Sequence, residues 1–197
     1  EPGDSQRLLE FFATHTADTI RARYGFSFTE LTPAEALKRV SVDQLRDAAL
    51  GAFERNDAGS HLVAVARFAL NEDEESAEMA FVVREDCRHL GIATALLGAL
   101  IAIARDHGLR ALTAWAQRDN ESMLDVFRSA GAKIGPPDSG GSVAVTLPLP
   151  GPRGRTERPR SPRQSESAPS MLRRAAERTW IRVENASAHL LGNYPLP

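Results

Sequence analysis

The segment AEMAFVVREDCRHLGIATALL, residues 77–97, contains the change of pattern that decides the fold. Its first part, AEMAFVV (77–83), is a short apolar run of the length of a strand. The residues ATALLGALIAIARDHG (93–108) repeat their apolar side chains at intervals of three and four, which predicts a helix ending at Gly108. The segment therefore predicts a strand that leads into a helix, with the small residues Gly91 and Ala93 where the helix begins.

Small residues at the start of a helix leave room for a bound group. The first N–H groups of a helix have no intrahelical acceptor, and the helix dipole favours an anion there. Side chains at positions 91 and 93 would keep a phosphate away from those amides, and Arg88 and His89 add positive character. The pattern indicates a pyrophosphate site, with tight packing of the helix on a sheet as the alternative explanation. It is not a Walker loop, which ends in GK[ST], and GxGxxG does not match either.

Helical and strand patterns alternate around this segment. Helices are predicted for SQRLLEFFATHTADTIRARYG (5–25), TPAEALKRV (32–40), SVDQLRDAALGAF (41–53) and NESMLDVFRSAG (120–131). Strands are predicted for HLVAVARFAL (61–70), which forms a hairpin with 77–83, and for LRALTAWAQ (109–117), AKIG (132–135) and GSVAVTLPL (141–149). This order predicts one α/β (α+β) domain over residues 1–150.

Composition separates this domain from a basic tail. Residues 1–150 contain 15 Lys and Arg against 22 Asp and Glu, a net charge of −7, and residues 151–197 contain 9 against 4, a net charge of +5. Residues 151–170, rich in Pro, Arg and Ser, are predicted to be a disordered linker. Residues 171–197 have a short helical pattern, with Ser170 as its N-cap, and an apolar stretch from Trp180 to Leu191 that could dock on the domain or on a partner; a tail without a role is the alternative.

The totals also exclude several classes of protein. No apolar run approaches the ~20 residues that span a bilayer, and the first residues have no export signal. The single cysteine, Cys87, suits a reducing cytoplasm. CxxC and HExxH are absent, and the five histidines have no ligand-like spacing, so no metal site is expected. The acidic domain argues against nucleic acid as a partner.

Residues 77–97 resemble motif A of the GNAT (Gcn5-related N-acetyltransferase) superfamily. Its signature, Arg/Gln-x-x-Gly-x-Gly/Ala, is matched by the residues 88–93, RHLGIA. A strand before the motif, a strand after the helix, and the pattern N-x6-F-x3-G (Asn120, Phe127, Gly131) lie at the spacing expected for the superfamily. The resemblance covers roughly residues 5 to 148.

Two further stretches are similar to Pat-type bacterial protein lysine acetyltransferases, which modify acyl-CoA synthetases. They are FFATHTADTIRARYGF near the start and the pair of patterns FVV-x-x-D-x4-G-I-A-T and N-x-x-M-L, from Phe81 and Asn120 respectively. The cyclic-nucleotide-binding and CoA-ligase domains that often accompany this branch are missing. The usual first strand before the first helix is truncated, so a fragment or a stand-alone relative is expected.

The resemblance implies a mixed central sheet flanked by helices, with two parallel strands splayed around acetyl-CoA. Pantetheine would pair with the backbone of Phe81, Val82 and Val83. The pyrophosphate would lie near Arg88 on the amides of His89, Leu90, Gly91, Ile92, Ala93 and Thr94. Asn120 would contact the pantetheine arm or a bound water, and Phe127 would pack against the cofactor.

Acetyl transfer to an amine requires a base, because a protonated amine has no lone pair to attack the thioester. Glu78 is the candidate, since it shares a strand face with Ala80 and Val82 and since lysine acetyltransferases of this superfamily often carry Glu in an A-E-x-x-F strand. An ordinary solvated carboxylate is the alternative. The carboxylates of the turn NEDEES (71–76) are expected to be solvated and to attract a cationic substrate at most. Many GNAT enzymes have a Tyr that protonates the leaving thiolate, and Phe127 occupies that position here.

Three functions fit these residues. The first is an acetyl-CoA-dependent N-acetyltransferase that modifies a lysine of a protein, an acyl-CoA synthetase for example. The second is the same chemistry on a small amine, such as an antibiotic, a polyamine or an amino acid. The third is a GNAT-like module that binds acyl-CoA without catalysis. The sequence gives no indication of the oligomeric state.

Overall fold

The computed structural model describes residues 2–24, 31–39, 47–56, 59–150 and 181–185. Five helices lie in these ranges: α1 (Pro2–Ala13), α2 (Ala17–Tyr24), α3 (Pro33–Arg39), α4 (Ile92–Asp106) and α5 (Glu121–Ser129). Seven strands form one sheet: β1 (Asp47–Asn56), β2 (Gly59–Leu70), β3 (Ser76–Val83), β4 (Ala111–Gln117), β5 (Lys133–Pro137), β6 (Ser142–Pro148) and β7 (Ile181–Asn185). A single turn of 3-10 helix, Glu85–Cys87, joins β3 to α4. No helix in the described residues is long and apolar enough to cross a bilayer.

The sheet is mixed, as the resemblance to the GNAT superfamily implied. Its strand order is β5-β6-β4-β3-β2-β1-β7, and the central pair, β3 and β4, is parallel while the other described pairs are antiparallel. The parallel pair needs a crossover connection, which α4 provides. The crossover places the α4 N-terminus at the carboxyl end of β3.

Both faces of the sheet are covered by helices, but not equally. The larger apolar cluster lies under α4 and α5 and includes Met79, Leu96, Leu112 and Phe127. The smaller cluster lies on the opposite face, where Leu8 and Phe11 of α1 and Ala36 of α3 pack on β1, β2 and Val82 of β3. We call these the α4 face and the α1 face.

The predicted helix 41–53 differs from the structure. Residues 47–53, predicted as part of a helix, belong to strand β1, which pairs with β2 along its whole length. Both faces of β1 are buried, Leu50 and Ala52 in the α4 cluster and Ala49 and Phe53 in the α1 cluster, so its sequence has no polar alternation. The remainder of that predicted helix, 41–46, lies outside the described residues.

The predicted helix 5–25 is divided in two at Thr14–Thr16. The hydroxyl of Thr14 donates to Phe11 O at 2.7 Å, and the His15 Nδ1 lies 2.7 Å from the same carbonyl, so side chains replace the helix hydrogen bonds there. Thr16 then caps α2 by accepting from Thr19 N–H at 3.3 Å.

The tail also departs from its predicted helical pattern. Residues 181–185 form strand β7, because their backbone completes an antiparallel ladder on the free edge of β1. The predicted linker 151–170 and the rest of the tail lie outside the described residues.

The other predicted elements are present to within two or three residues. The β2–β3 hairpin, α4, β4, α5, β5 and β6 lie where their patterns placed them. At α3 a reciprocal pair of hydrogen bonds, Glu35 N–H to Thr32 Oγ1 at 3.3 Å and Thr32 N–H to Glu35 Oε2 at 3.0 Å, forms a capping box.

Candidate active site

A cleft opens in the middle of the sheet between β3 and β4. The two strands pair only from Ser76, Ala77 and Glu78 to Ala111, Leu112 and Thr113, and no ladder joins them beyond that point. β2 continues to pair with β3 as far as Val83, and β6 pairs with β4 as far as Gln117. The facing edges of β3 and β4 therefore offer backbone groups to an extended ligand.

The turn from β3 into α4 has left-handed backbone at two positions, 89 and 91, on either side of Leu90. Gly91, the N-cap of α4, has φ +79°, and His89 has φ +61°. A Cβ built on Gly91 would contact nothing within 4 Å, so the glycine is not explained by packing of the helix on the sheet. At position 91 that alternative is wrong. The left-handed conformation explains the glycine, and open space lies where its side chain would be.

Backbone amides of this turn are available to a ligand. The first N–H of α4 with a helical acceptor is that of Ala95, which donates to Gly91 O at 3.0 Å. The first turn of α4 has no acidic side chain, so the positive end of the helix dipole is not compensated locally. His89 adopts a conformation that is unfavourable for a residue with a side chain, a form of strain that occurs at ligand sites. Such an arrangement is suited to an anion.

Side chains of the predicted phosphate turn differ in exposure. Arg88, His89, Leu90 and Thr94 are exposed, with Leu90 44 % accessible, while Ile92 is buried in the α4 cluster and Ala93 is half-buried. Ile92 can therefore offer only its backbone to a ligand. Arg88 Nη2 donates to Thr19 Oγ1 of α2 at 2.7 Å.

The residues predicted to line the pantetheine arm lie at the carboxyl half of β3. Phe81 and Val83 pack against the α4 cluster, whereas Val82 belongs to the α1 cluster. Their backbone faces the cleft on the side where β4 has separated from β3.

The two predicted residues of α5 are placed differently from one another. Asn120 is exposed and caps α5, its Oδ1 accepting from Met123 N–H at 3.3 Å and from Ser122 Oγ at 3.2 Å. Phe127 is 2 % exposed, with its ring centroid 6.0 Å from that of Phe81 in an edge-to-face contact. Phe127 thus supports the strand from inside the core.

Glu78 lies at the point where the strands separate. It is the last residue of β3 in register with β4, opposite Thr113, and it is half-buried. Ala77 and Met79 point into the α4 cluster, so Glu78 lies on the α1 face together with Val82. Thr113 is fixed beside it, accepting from Asn71 Nδ2 at 3.4 Å and donating to Ala77 O at 3.4 Å.

A comparison with family models matches residues 17–132 to the acetyltransferase (GNAT) family. The chain belongs to this family. The match covers the cleft, the turn before α4 and helix α5. Membership of this family identifies the protein as an N-acetyltransferase that uses acetyl-CoA.

Individual relatives agree with the family. The chain is 25 % identical over 128 residues to the acetyltransferase PA5475 of Pseudomonas aeruginosa, covering 65 % of this chain and 69 % of that protein. The GNAT domain of S. lividans PAT superposes with a TM-score of 0.65 at 24 % identity, over 75 % of this chain and 86 % of the other. A domain from Methanocaldococcus jannaschii superposes with a TM-score of 0.59 at 13 % identity, over 75 % and 93 %. The solved structures show that the fold is shared.

Two features of this GNAT enzyme were not found from the sequence. Trp115 of β4 is 59 % exposed. It lies on the α1 face because Leu112 and Ala114 of the same strand are buried in the α4 cluster and side chains alternate along a strand. Its strand alternation could have revealed it. Glu85, described below, contacts residues that are 66 and 69 positions away, and no local pattern indicates such a contact. In the described residues, no group of three His, Cys, Asp or Glu side chains could hold a metal ion.

Proposed function

We propose that this enzyme transfers the acetyl group of acetyl-CoA to the lysine side chain of a protein, with Glu78 as the general base. The observation that carries the proposal is the position of Glu78 at the last paired residue before β3 and β4 separate. A thioester held in the cleft would have its carbonyl group near this position, and a carboxylate there can accept a proton from an incoming amine.

The opposite half of the cleft suits the cofactor. Pantetheine would pair with the backbone of Phe81, Val82 and Val83, which β4 leaves free. The pyrophosphate would accept hydrogen bonds from amides between His89 and Thr94, with Arg88 next to them in the chain as a cation. Asn120, whose oxygen caps α5, would offer its amide N–H to the pantetheine arm or to a water.

The acceptor would approach from the α1 face. Helices α1 and α3 cover β1 and β2 on that face, and beyond them the exposed indole of Trp115 lies on the same face as Glu78. Trp115 is opposite Ala144 of β6, a small residue. A broad surface with an exposed aromatic residue suits a protein segment, because tryptophan is enriched among the residues that dominate protein interfaces. The Pat-like patterns of the sequence support the same substrate class.

The chemistry follows from the charge of lysine. With a pKa near 10.4, only about 0.04 % of lysine side chains are neutral at pH 7. Glu78 accepts one proton from the ammonium group, directly or through water. The nitrogen lone pair then forms the C–N bond, the C–S bond breaks, and the second N–H proton passes through water to the CoA thiolate. Phe127 donates no proton, so water is the acid in this proposal.

The acceptor class can be tested with purified protein. Acetyl-CoA is incubated with a panel of lysine-containing proteins, including an acyl-CoA synthetase, and separately with polyamines, amino acids and aminoglycosides. A thiol reagent measures released CoA, and mass spectrometry locates acetyl-lysine. We expect CoA release that requires a protein and one or a few modified lysines. Turnover with a small amine alone would contradict the lysine assignment, and no CoA release with any acceptor would contradict catalysis.

A further inference from the structure

Glu85 lies in the turn between β3 and α4, which we call the cofactor turn (84–91), and it contacts helix α2. Its Oε1 accepts hydrogen bonds from Thr16 N–H at 3.0 Å, from Thr16 Oγ1 at 2.7 Å and from Thr19 Oγ1 at 2.5 Å. Thr16 is the N-cap of α2 and Thr19 lies in its first turn. One carboxylate oxygen of the turn after β3 therefore collects three donors from the end of a single helix.

Arg88 completes the connection. Its Nη2 donates to Thr19 Oγ1 at 2.7 Å and lies 3.8 Å from Glu85 Oε1. A threonine hydroxyl has one proton to donate and lone pairs to accept with, so Thr19 donates to Glu85 while accepting from Arg88. The hydroxyl of Thr19 is the direct link between the arginine of the cofactor turn and α2.

The carboxylate stays charged throughout the working pH range. The hydrogen bonds from Thr19 and Thr16, together with the charge of Arg88, lower the pKa of Glu85 to about 2. A lowered pKa means that these interactions are present above the ordinary carboxyl pKa and are lost only as the pH falls toward 2. Glu85 is therefore charged near neutral pH and can accept these hydrogen bonds.

A second set of contacts fixes the same turn without involving α2. Arg84 pairs with Glu54 of β1 at 2.9 Å and with Asp86 at 2.6 Å. The turn is thus held on two sides, by β1 through Arg84 and by α2 through Glu85. This arrangement provides a control, because Asp86 carries the same charge in the same turn and has a different partner.

We propose that Glu85 and Thr19 are positioning residues that couple helix α2 to acetyl-CoA binding through Arg88. The inference rests on the proposed cofactor site. α2 follows α1, whose side chains pack on the α1 face, the face of Glu78. A bound pyrophosphate that further orders Arg88 would stabilise the first turn of α2, and by thermodynamic reciprocity an ordered α2 would strengthen cofactor binding.

The coupling can be measured without knowing the acceptor. Free coenzyme A is the probe, and backbone amide hydrogen exchange is followed in α2 (17–24) and at the start of α4 (91–97). In the wild-type protein we expect CoA to slow exchange in both regions. In Thr19→Val the protection of α2 should be lost while that of α4 remains, and the Kd for CoA should rise about 5-fold.

Matched variants separate coupling from damage to the fold. Thr19→Ser keeps the hydroxyl and should restore both values, and Asp86→Asn should keep the protection of α2. Glu85→Gln is the second test if Thr19→Val is poorly folded, with the same loss of α2 protection expected. Protection of α2 by CoA that persists in both Thr19→Val and Glu85→Gln, or protection of α4 alone in the wild-type protein, would overturn the coupling. Protection of neither region in the wild-type protein would overturn the cofactor site as well.

Discussion

At the scale of single residues, Gly91 and Gly108 offer a matched comparison at the two ends of α4. Their φ angles are +79° and +74°, and a Cβ at either position would contact nothing within 4 Å. A side chain at either glycine therefore costs similar backbone strain, about 1 kcal/mol. Only Gly91 lies in the proposed pyrophosphate site.

Gly91→Glu is expected to abolish the stabilisation of the protein by acetyl-CoA. At 100 times its Kd, a ligand adds about 2.7 kcal/mol of stability, which corresponds to an increase in Tm of about 5–10 °C for a protein of this size. The carboxylate of Gly91→Glu would repel the pyrophosphate and occupy its space, whereas Gly108→Glu should keep the thermal shift. Equal shifts in the two variants would place the phosphate elsewhere.

Phe127→Tyr tests whether the reaction lacks an acid. Because position 127 is buried beside Phe81, the new hydroxyl would have to find a partner in the core or cost about 1–3 kcal/mol. We expect a lower Tm and a change in kcat of less than about 3-fold, measured at saturating acetyl-CoA. A gain of 10-fold or more would show that proton donation to the thiolate limits the present enzyme.

At the scale of elements, the sequence predicts those whose local pattern agrees with their environment. The β2–β3 hairpin, α4 and α5 have apolar spacings that match their buried faces, so they were predicted. β1 is buried on both faces and rich in alanine, which favours a helical interpretation, and only its pairing with β2 makes it a strand. Spacing and the family resemblance were enough to propose the phosphate turn and Glu78, whereas the contact of Glu85 with α2 depends on tertiary structure alone.

Strand β4 exposes Trp115 on the α1 face, which leads to a prediction about the acceptor. Trp115→Ala should raise the KM for a protein acceptor about 10-fold and leave the Kd for acetyl-CoA unchanged, because the indole lies on the proposed acceptor side of β4. Leu37→Ala is the control, since Leu37 is also an exposed apolar residue, 53 % accessible, on α3. Initial rates at varied acceptor concentration distinguish the two variants. An unchanged KM in Trp115→Ala would remove β4 from the acceptor surface.

At the scale of the whole molecule, the basic tail is joined to the acidic domain by backbone pairing of β7 with β1. Two strands, β1 and β2, separate β7 from the cleft strand β3. Truncation after Pro150 should therefore lower Tm and expose a sheet edge that promotes self-association, with little change in kcat. A tail held by charge alone, +5 against −7, would lose its effect as salt shortens the ~8 Å screening length.

The salt series decides between these two ways of holding the tail. Tm and sedimentation are measured for the full and truncated chains from 0.05 to ~1 M NaCl, where screening shortens to about 3 Å. We expect the difference in Tm to persist at high salt, because a β-ladder is not an ion pair. A difference that disappears with salt would indicate electrostatic docking, and no difference at any salt concentration would make the tail an appendage.

The central claim is that Glu78 removes the proton that prevents lysine from attacking acetyl-CoA. Glu78→Gln keeps the shape of the side chain, and Glu72→Gln makes the same change of charge in the exposed turn of the hairpin. The measurement is kcat from pH 6 to 10 for both variants with the protein acceptor, together with the Kd for acetyl-CoA. The account predicts that Glu78→Gln lowers kcat at pH 7 by roughly 10²–10⁴-fold, that the deficit shrinks as the pH approaches the lysine pKa, and that the Kd is unchanged. A Glu78→Gln enzyme that binds acetyl-CoA and retains the full rate of the Glu72→Gln control at pH 7 would contradict it.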